Sequence, residues 1–272
     1  MNYTSFLPGA PLREFIEKYY LIQSGFLPQP GERRMFADGC MDMIINIGEG
    51  TPRLNGTPLV RGKPYISGFM SSFVTLSHDS GFSFFGVQFK PGGISHFVDD
   101  PVIEYAEKTV EFDNSHFCSI IDDDARLVAR VDRFFISRLR ERQPVSSIID
   151  SILAHQGRIS VDDLKKRFLV SSRTLERLFK SRVGLSPKEF LSLTRFRNAL
   201  GIILGKGFGK VDESLLSIAC NAGYYDHAHL TREVKHFTGL TPTEIIRLEE
   251  QKRMFVAEFL NYPGHDRGKE NE

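Results

Sequence analysis

Gly184-Leu185-Ser186-Pro187 returns 55 residues later as Gly239-Leu240-Thr241-Pro242, and the reading of the chain grows from that repeat. In the same register Leu175 matches Leu230, Arg177 matches Arg232, Lys180 matches Lys235 and Glu189 matches Glu244. So many identities at one offset mark a duplicated structural unit. Within each copy the glycine suits the end of one helix. The Ser-Pro or Thr-Pro pair suits the start of the next, with the hydroxyl as N-cap and proline in the first turn.

Each unit reads as two helices joined by a tight turn, the first over 161–167 or 215–221. The second helix opens at Ser171 or Asp226, both good N-caps. On a wheel of ~100° per residue, Leu175, Leu178 and Phe179 share one side, and Arg173, Glu176, Arg177 and Lys180 share the other. In the second copy Leu230, Val234 and Phe237 form the apolar side, while Ala228, Thr231, Arg232 and Lys235 face away. Such a helix fits the major groove of duplex DNA. Arginine can bond bidentately to guanine, and lysines and helix N-termini, here with Ser171 and Ser172, can hold phosphates. Ala228 and the Thr231 methyl suit a thymine methyl, and His227 and His229 suit a base edge or phosphate. Glu176 either accepts from cytosine N4 or tunes the approach to phosphate. Either helix alone equally describes an ordinary solvated face; two in register point to double-stranded DNA. A connecting helix over 186–204 would span a little under ~30 Å, near the ~34 Å turn of B-DNA, so the two helices could enter successive major grooves, with some bending of the duplex.

The charge distribution agrees. The 272 residues carry a net charge of only +1, but it is unevenly placed. Residues 1–144 hold 15 Lys+Arg and 18 Asp+Glu, whereas residues 145–260 hold 18 and 13. A basic second half fits a nucleic-acid partner. The length suits two domains, and 41% hydrophobic with 25% charged residues suits a globular chain. No apolar run approaches the ~18–20 residues of a membrane span, and the N-terminus shows no leader pattern. Cys40, Cys118 and Cys220 are far apart and form no CxxC pair, so neither a disulfide framework nor a zinc site is expected, and a reducing cytoplasm is the simplest setting.

The first half reads as β-rich, within an α+β chain overall. Met41, Met43, Ile45 and Ile47 alternate with Asp42, Ile44 and Asn46, as in a half-buried strand, and Phe85, Val87 and Phe89 alternate with Gly86 and Gln88. Gly48-Glu49-Gly50, Asn55-Gly56 and Pro91-Gly92-Gly93 supply turns. Several short strands at such spacing favour a barrel or sandwich. A short helix is expected over 11–18. Leu127, Val131, Phe134, Phe135 and Leu139 predict a helix within 124–141, packed on its own domain in preference to serving as a dimer helix. Helices follow near 145–155, 161–167, 171–182, 186–204, 213–222, 226–237 and 242–258. The expected organisation is a β-rich sensing or dimerisation domain at 1–121, a helical linker at 122–144, a double helix-turn-helix domain at 145–258 and a polar tail at 259–272.

These residues resemble the AraC/XylS family of bacterial regulators over about 145–250. The most specific stretch runs from Ile218-Ala219-Cys220-Asn221-Ala222-Gly223-Tyr224-Tyr225-Asp226 to Gly239-Leu240-Thr241-Pro242, together with Val170-Ser171-Ser172-Arg173-Thr174-Leu175-Glu176-Arg177-Leu178-Phe179-Lys180. The family usually has Phe where Val234 stands and often Ser where Asp226 stands. The resemblance implies seven helices carrying two helix-turn-helix units. Arg173, Glu176, Arg177, His227, Ala228 and Arg232 would take base-facing positions, and RNA polymerase would be a partner. Residues 36–48 and 85–93 are similar to an N-terminal domain found in some members, which implies a cupin-like barrel for effector sensing or dimerisation.

Enzymatic chemistry finds little support. Ser77-His78-Asp79-Ser80 cannot form a triad, because neighbours on a strand point to opposite faces. His78 and His96 are too few for a metal-binding cupin, so no metal or cofactor is expected. Gly205-Lys206-Gly207-Phe208-Gly209-Lys210 lacks phosphate-loop spacing. Two other readings remain open: an enzyme domain fused to a DNA-binding unit, which a polar cluster in a deep N-terminal pocket would favour, and a purely architectural first half, which a closed Phe-filled interior would favour.

Overall fold

The computed structural model describes residues 2–25, 30–35, 39–79, 81–112, 117, 127–141, 143–204 and 214–250. Ten strands among them make two antiparallel sheets. The strands are β1 (Asn2–Phe6), β2 (Ile16–Gln23), β3 (Gly31–Met35), β4 (Met41–Asn46), β5 (Arg53–Leu54), β6 (Thr57–Pro58), β7 (Pro64–Ser67), β8 (Val74–His78), β9 (Ser83–Phe89) and β10 (Thr109–Glu111). One sheet runs β1-β2-β9-β4-β7-β10 and the other β3-β8-β5-β6. Both expected strands are present. Neither is half-buried, however: Met43, Ile44 and Ile45 are all buried, as are Phe84, Phe85 and Val87. The large sheet is covered on both faces. On one, Ile44, Tyr65 and Phe84 meet Leu54, Val74 and Leu76 of the small sheet. On the other, Met43, Ile66, Val87 and Phe89 join a core that continues into the helices.

The helix expected over 11–18 is replaced by a single 3-10 turn, Ala10–Leu12, and then by β2. The physical reason is a bulge. Ile16 pairs with Phe89 and Lys18 with Gln88, so one residue is extra between them. The bulge puts Ile16 and Tyr19, three residues apart, on one face of the sheet, opposite Phe89 and Val87. Three-residue spacing of buried side chains imitates a helix.

Helix α1 (Leu127–Ile136) lies against the β domain. Phe135 meets Phe89 and Phe97 edge to face at 5.6 and 5.0 Å. Asp132 fastens its other side: the carboxylate accepts from the Tyr19 hydroxyl at 2.8 Å and from the Gly9 amide at 3.0 Å. Burial, then the Asp132 bond, pushes the Tyr19 phenol well above its ordinary pKa. Residues 124–126 of the expected helix lie outside the described residues.

Among the described residues seven helices follow: α2 (Pro144–Ala154), α3 (Val161–Phe168), α4 (Ser172–Arg182), α5 (Pro187–Ile203), α6 (Leu215–Ala222), α7 (His227–Thr238) and α8 (Pro242–Glu250). They follow the expected pattern, and the expected 251–258 portion of the last one lies outside the described residues. The β domain packs against them. Ser72 Oγ donates to the His236 carbonyl at 3.3 Å, and Gly39 lies so close to α5 that an added Cβ would meet Leu193 Cδ2 at 2.5 Å.

The two turn ends within the repeat differ. The first helix of the second unit closes on Gly223 at φ 81°, but α3 closes on Leu169 at φ 52°. A branched side chain in this left-handed conformation is strained, and Leu169 is 92% exposed, so packing offers nothing in return. Leu169→Gly should therefore raise unfolding stability by about 1 kcal/mol, read as a higher urea midpoint; a lower midpoint would contradict the strain. Asp132→Ala should cost about 2–3 kcal/mol, because it leaves the buried Tyr19 hydroxyl without its charged acceptor.

Candidate nucleic-acid interface

Capping chemistry starts both second helices as the sequence predicts. Ser171 accepts from the Thr174 amide at 3.1 Å and Asp226 from the His229 amide at 2.6 Å. The duplicated Ser/Thr-Pro-x-Glu starts are reciprocal capping boxes: Ser186 N to Glu189 is 2.8 Å and Thr241 N to Glu244 is 2.7 Å. The bond from the Thr241 amide holds the Glu244 carboxyl below the usual range.

Helix α4 buries Leu175 and Phe179 completely, and Leu178 is half-buried. Ser171, Ser172, Arg173, Glu176, Arg177 and Lys180 are exposed. Helix α7 buries Leu230, Val234 and Phe237. His227, Ala228, Arg232 and Lys235 are exposed, and Thr231 is half-exposed with its hydroxyl donating to the His227 carbonyl at 2.8 Å. The packed β domain leaves both faces open. Among the described residues, no ion pair engages Arg173, Arg177, Lys180, Arg232 or Lys235.

His229 departs from the rest of the set. Its ring meets Tyr224 edge-on at 5.2 Å, and Nε2 lies 4.0 Å from Glu233. Glu233 also accepts from Ser192 on α5. Burial, then the Glu233 charge, pushes the Tyr224 phenol upward. His229 thus turns toward a cluster joining α7 to α5, whereas its neighbour His227 is open to solvent.

The linking helix holds both units at once. Phe190 of α5 meets Phe179 of α4 at 5.8 Å, and Phe196 of α5 stacks on Phe237 of α7 at 4.6 Å. The six-residue step between Phe190 and Phe196 is a rise of about 9 Å. Helix α5 is 17 residues long, about 26 Å.

The expected first helices, 161–167 and 215–221, already contain a one-residue insertion that the repeat at offset 55 conceals. The second helices are offset by 55, but the first helices by 54: Lys165 O accepts from Leu169 N just as Ala219 O accepts from Gly223 N. The second turn is one residue longer, and Tyr225, 91% exposed, occupies the extra place. Aligning the helix ends Leu169 and Gly223, in place of the identical residues, would have revealed it.

Comparison with known proteins agrees with this architecture. Residues 164–247 match a family described as a helix-turn-helix domain, and residues 4–111 match one described as a domain of unknown function. An uncharacterized HTH-type transcriptional regulator of Haemophilus influenzae is 22% identical over 114 residues, 42% of this chain and 37% of that protein. The uncharacterized HTH-type transcriptional regulator YidL of Escherichia coli is 27% identical over 112 residues, 41% and 36%. The match thus spans little more than a third of the length of these relatives. A crystal structure of ToxT from Vibrio cholerae shares the fold at TM-score 0.50 and 11% identity, over 81% of this chain and 98% of that one. A β-rich domain is thus followed by two capped helix-turn-helix units on one linking helix, and the second half carries the helix-turn-helix domain that the resemblance to the AraC/XylS family implies.

Proposed function

We propose that this protein is a sequence-specific DNA-binding transcription regulator that sets α4 and α7 into successive major grooves of one duplex. The observation that carries the reading is the pair of exposed, cation-bearing helix faces held on one helix through Phe179–Phe190 and Phe196–Phe237. Arg173, Glu176, Arg177, His227, Ala228 and Arg232 face the bases. Ser171, Ser172, Lys180 and Lys235 hold phosphates, and Thr231 contributes its methyl. His229 acts by positioning, through Tyr224 and Glu233. The faces are unequal, one heavily charged and one small and partly apolar, so the two half-sites differ and the operator is asymmetric.

In this reading the β domain at 1–121 senses an effector or dimerises, 122–144 links it to the DNA-binding domain at 145–258, and the chain catalyses no reaction. It acts in the cytoplasm and meets RNA polymerase at the promoter. No helix among the described residues is long and apolar enough to cross a membrane.

Selection from random duplexes should yield an asymmetric site bound at least 100-fold more tightly than random DNA at moderate salt, the order expected of specific readers; equal binding to both would refute the function. At that site Arg232→Ala should cost about 1–3 kcal/mol and relax preference at one base pair. Lys235→Ala should instead weaken all sequences alike and reduce the salt slope by about 1. A uniform loss for Arg232→Ala would reassign it to phosphate.

A further inference from the structure

The two helix-turn-helix units meet at a seam beside α5. The loop between α2 and α3 brings Gly157 and Arg158 to it from the first unit. Gly157 lies flat on α5: an added Cβ would meet Leu191 O at 2.5 Å and Arg195 N at 2.8 Å. Arg195 clamps the loop by donating to the Gly157 carbonyl at 3.0 Å. The stem of Arg158 then crosses to the second unit, where a Cβ on Gly223 would meet Arg158 Cγ at 2.7 Å. Gly223 ends α6, and Tyr225 stands two residues beyond it. Two residues reach at most about 7 Å, so a guanidinium and a phenol share the seam.

The seam lies midway along the linking helix. Leu191 and Arg195 fall between Phe190 and Phe196, the residues that hold α4 and α7. They also fall on the side of α5 away from the β domain. Gly39 of that domain abuts Leu193 and Arg197, each two residues from its counterpart, and two residues turn a helix by about 200°. Arg158 and Tyr225 are both exposed, the tyrosine at 91%, so Tyr225 contributes nothing to the core.

Charge identifies what the seam meets. The Arg158 guanidinium donates to the neutral Gln156 Oε1 at 2.9 Å, and among the described residues no ion pair engages it. The carboxylates around it have partners of their own: Asp162 accepts from Lys165, Asp163 from the Ser160 hydroxyl and Asp226 from the His229 amide, each at 2.6 Å. Glu233 accepts from Ser192. The Asp226 bond has a second consequence. Helix α7 opens on a carboxylate, which takes up a free amide and offsets the positive end of the helix, whereas α4 opens on the neutral Ser171. The start of α7 is therefore a poor phosphate anchor, and the second unit needs donors from elsewhere. Arginine and tyrosine side chains both bond DNA phosphate oxygens.

We infer that Arg158 and Tyr225 form a third DNA contact, which holds a backbone phosphate between the two half-sites and carries no sequence information. The inference rests on the reading of α4 and α7 as helices in successive major grooves. With those two entries about one helical turn apart, the backbone passes between them, where the seam lies.

Titration of the full chain with its selected operator over a range of salt tests it. One phosphate contact contributes about 0.9 to the slope of log affinity on log salt, so a fourfold rise in salt costs about 3.5-fold in affinity per contact. Arg158→Met keeps the stem on Gly223 and should lower the slope by about 0.9, and Arg158→Lys should restore it. Tyr225→Phe removes only the hydroxyl, and should weaken binding about 3-fold with the slope unchanged. Base preferences at both half-sites should stay the same in every variant. A neutral methylphosphonate, placed in turn at each central backbone position, reads the same contact from the DNA side: one position should weaken the parent chain and leave Arg158→Met indifferent. Should Arg158→Met fail to fold, that scan on the parent chain and Tyr225→Phe carry the test. A parental slope in Arg158→Met, parental affinity in Tyr225→Phe, or a scan with no sensitive central position would overturn the site, while specific binding by the parent chain leaves the function standing. Loss of preference at a base pair in either variant would make that residue a base reader and overturn the assignment too. Failure of the parent chain to select any duplex would overturn the function, and this site with it.

Discussion

Two phenylalanines on one helix set the geometry of the helix-turn-helix half. Phe190 holds Phe179 of the first unit and Phe196 holds Phe237 of the second. Because both lie on α5, the second helices cannot change separation without breaking a buried aromatic contact. Helix α5 is buried nearly all round, with Leu191, Leu193, Ala199, Leu200 and Ile203 joining the same core, as expected of a strut between two packed units. Caps fix where each helix starts, and aromatic packing fixes how it is turned. Together they leave one charged face of each unit in water.

The β domain is tied to this frame by contact at both units. Val102 packs near Gly184 beside the first unit, and Ser72 reaches the His236 carbonyl on the second. A shared apolar core runs from Met43 and Phe89 of the large sheet through Phe135 to Phe179 and Phe196. The β domain and the linking helix therefore share one dense core. The second, smaller core between the sheets, around Tyr20, Ile44 and Leu76, is separate from this one.

The helix-turn-helix half was legible because its determinants are local. Apolar spacing, Ser and Asp caps and glycine stops each act within a turn or two, and duplication displayed them twice. What escaped was a matter of count: the extra residue Tyr225 slips the first helices to an offset of 54, while the identities that reveal the repeat lie in and after the second helices. The β domain was less legible because its structure depends on pairing across the chain. The bulge between Ile16 and Lys18 gave β2 a helical spacing, and the strand then hid among helix candidates. The helix expected over 11–18 ran into the first residues of β2, and the pairing of that strand with β9 could not be seen from any one stretch. The alternation at 41–47 correctly marked a strand but understated its burial, since a strand covered by a second sheet and by helices is apolar on both sides.

The central claim is that one rigid strut presents two reading helices at a fixed spacing along one face of DNA. Affinity for the selected operator, measured with five base pairs inserted between the two half-sites, tests it most directly. Half a helical turn places the second major groove on the opposite side of the duplex. The account predicts that affinity falls to that of a single half-site, and that a ten-base-pair insertion fails to restore it because α5 cannot lengthen. Binding that survives the five-base-pair insertion unchanged would contradict the account, showing that the two units read DNA independently.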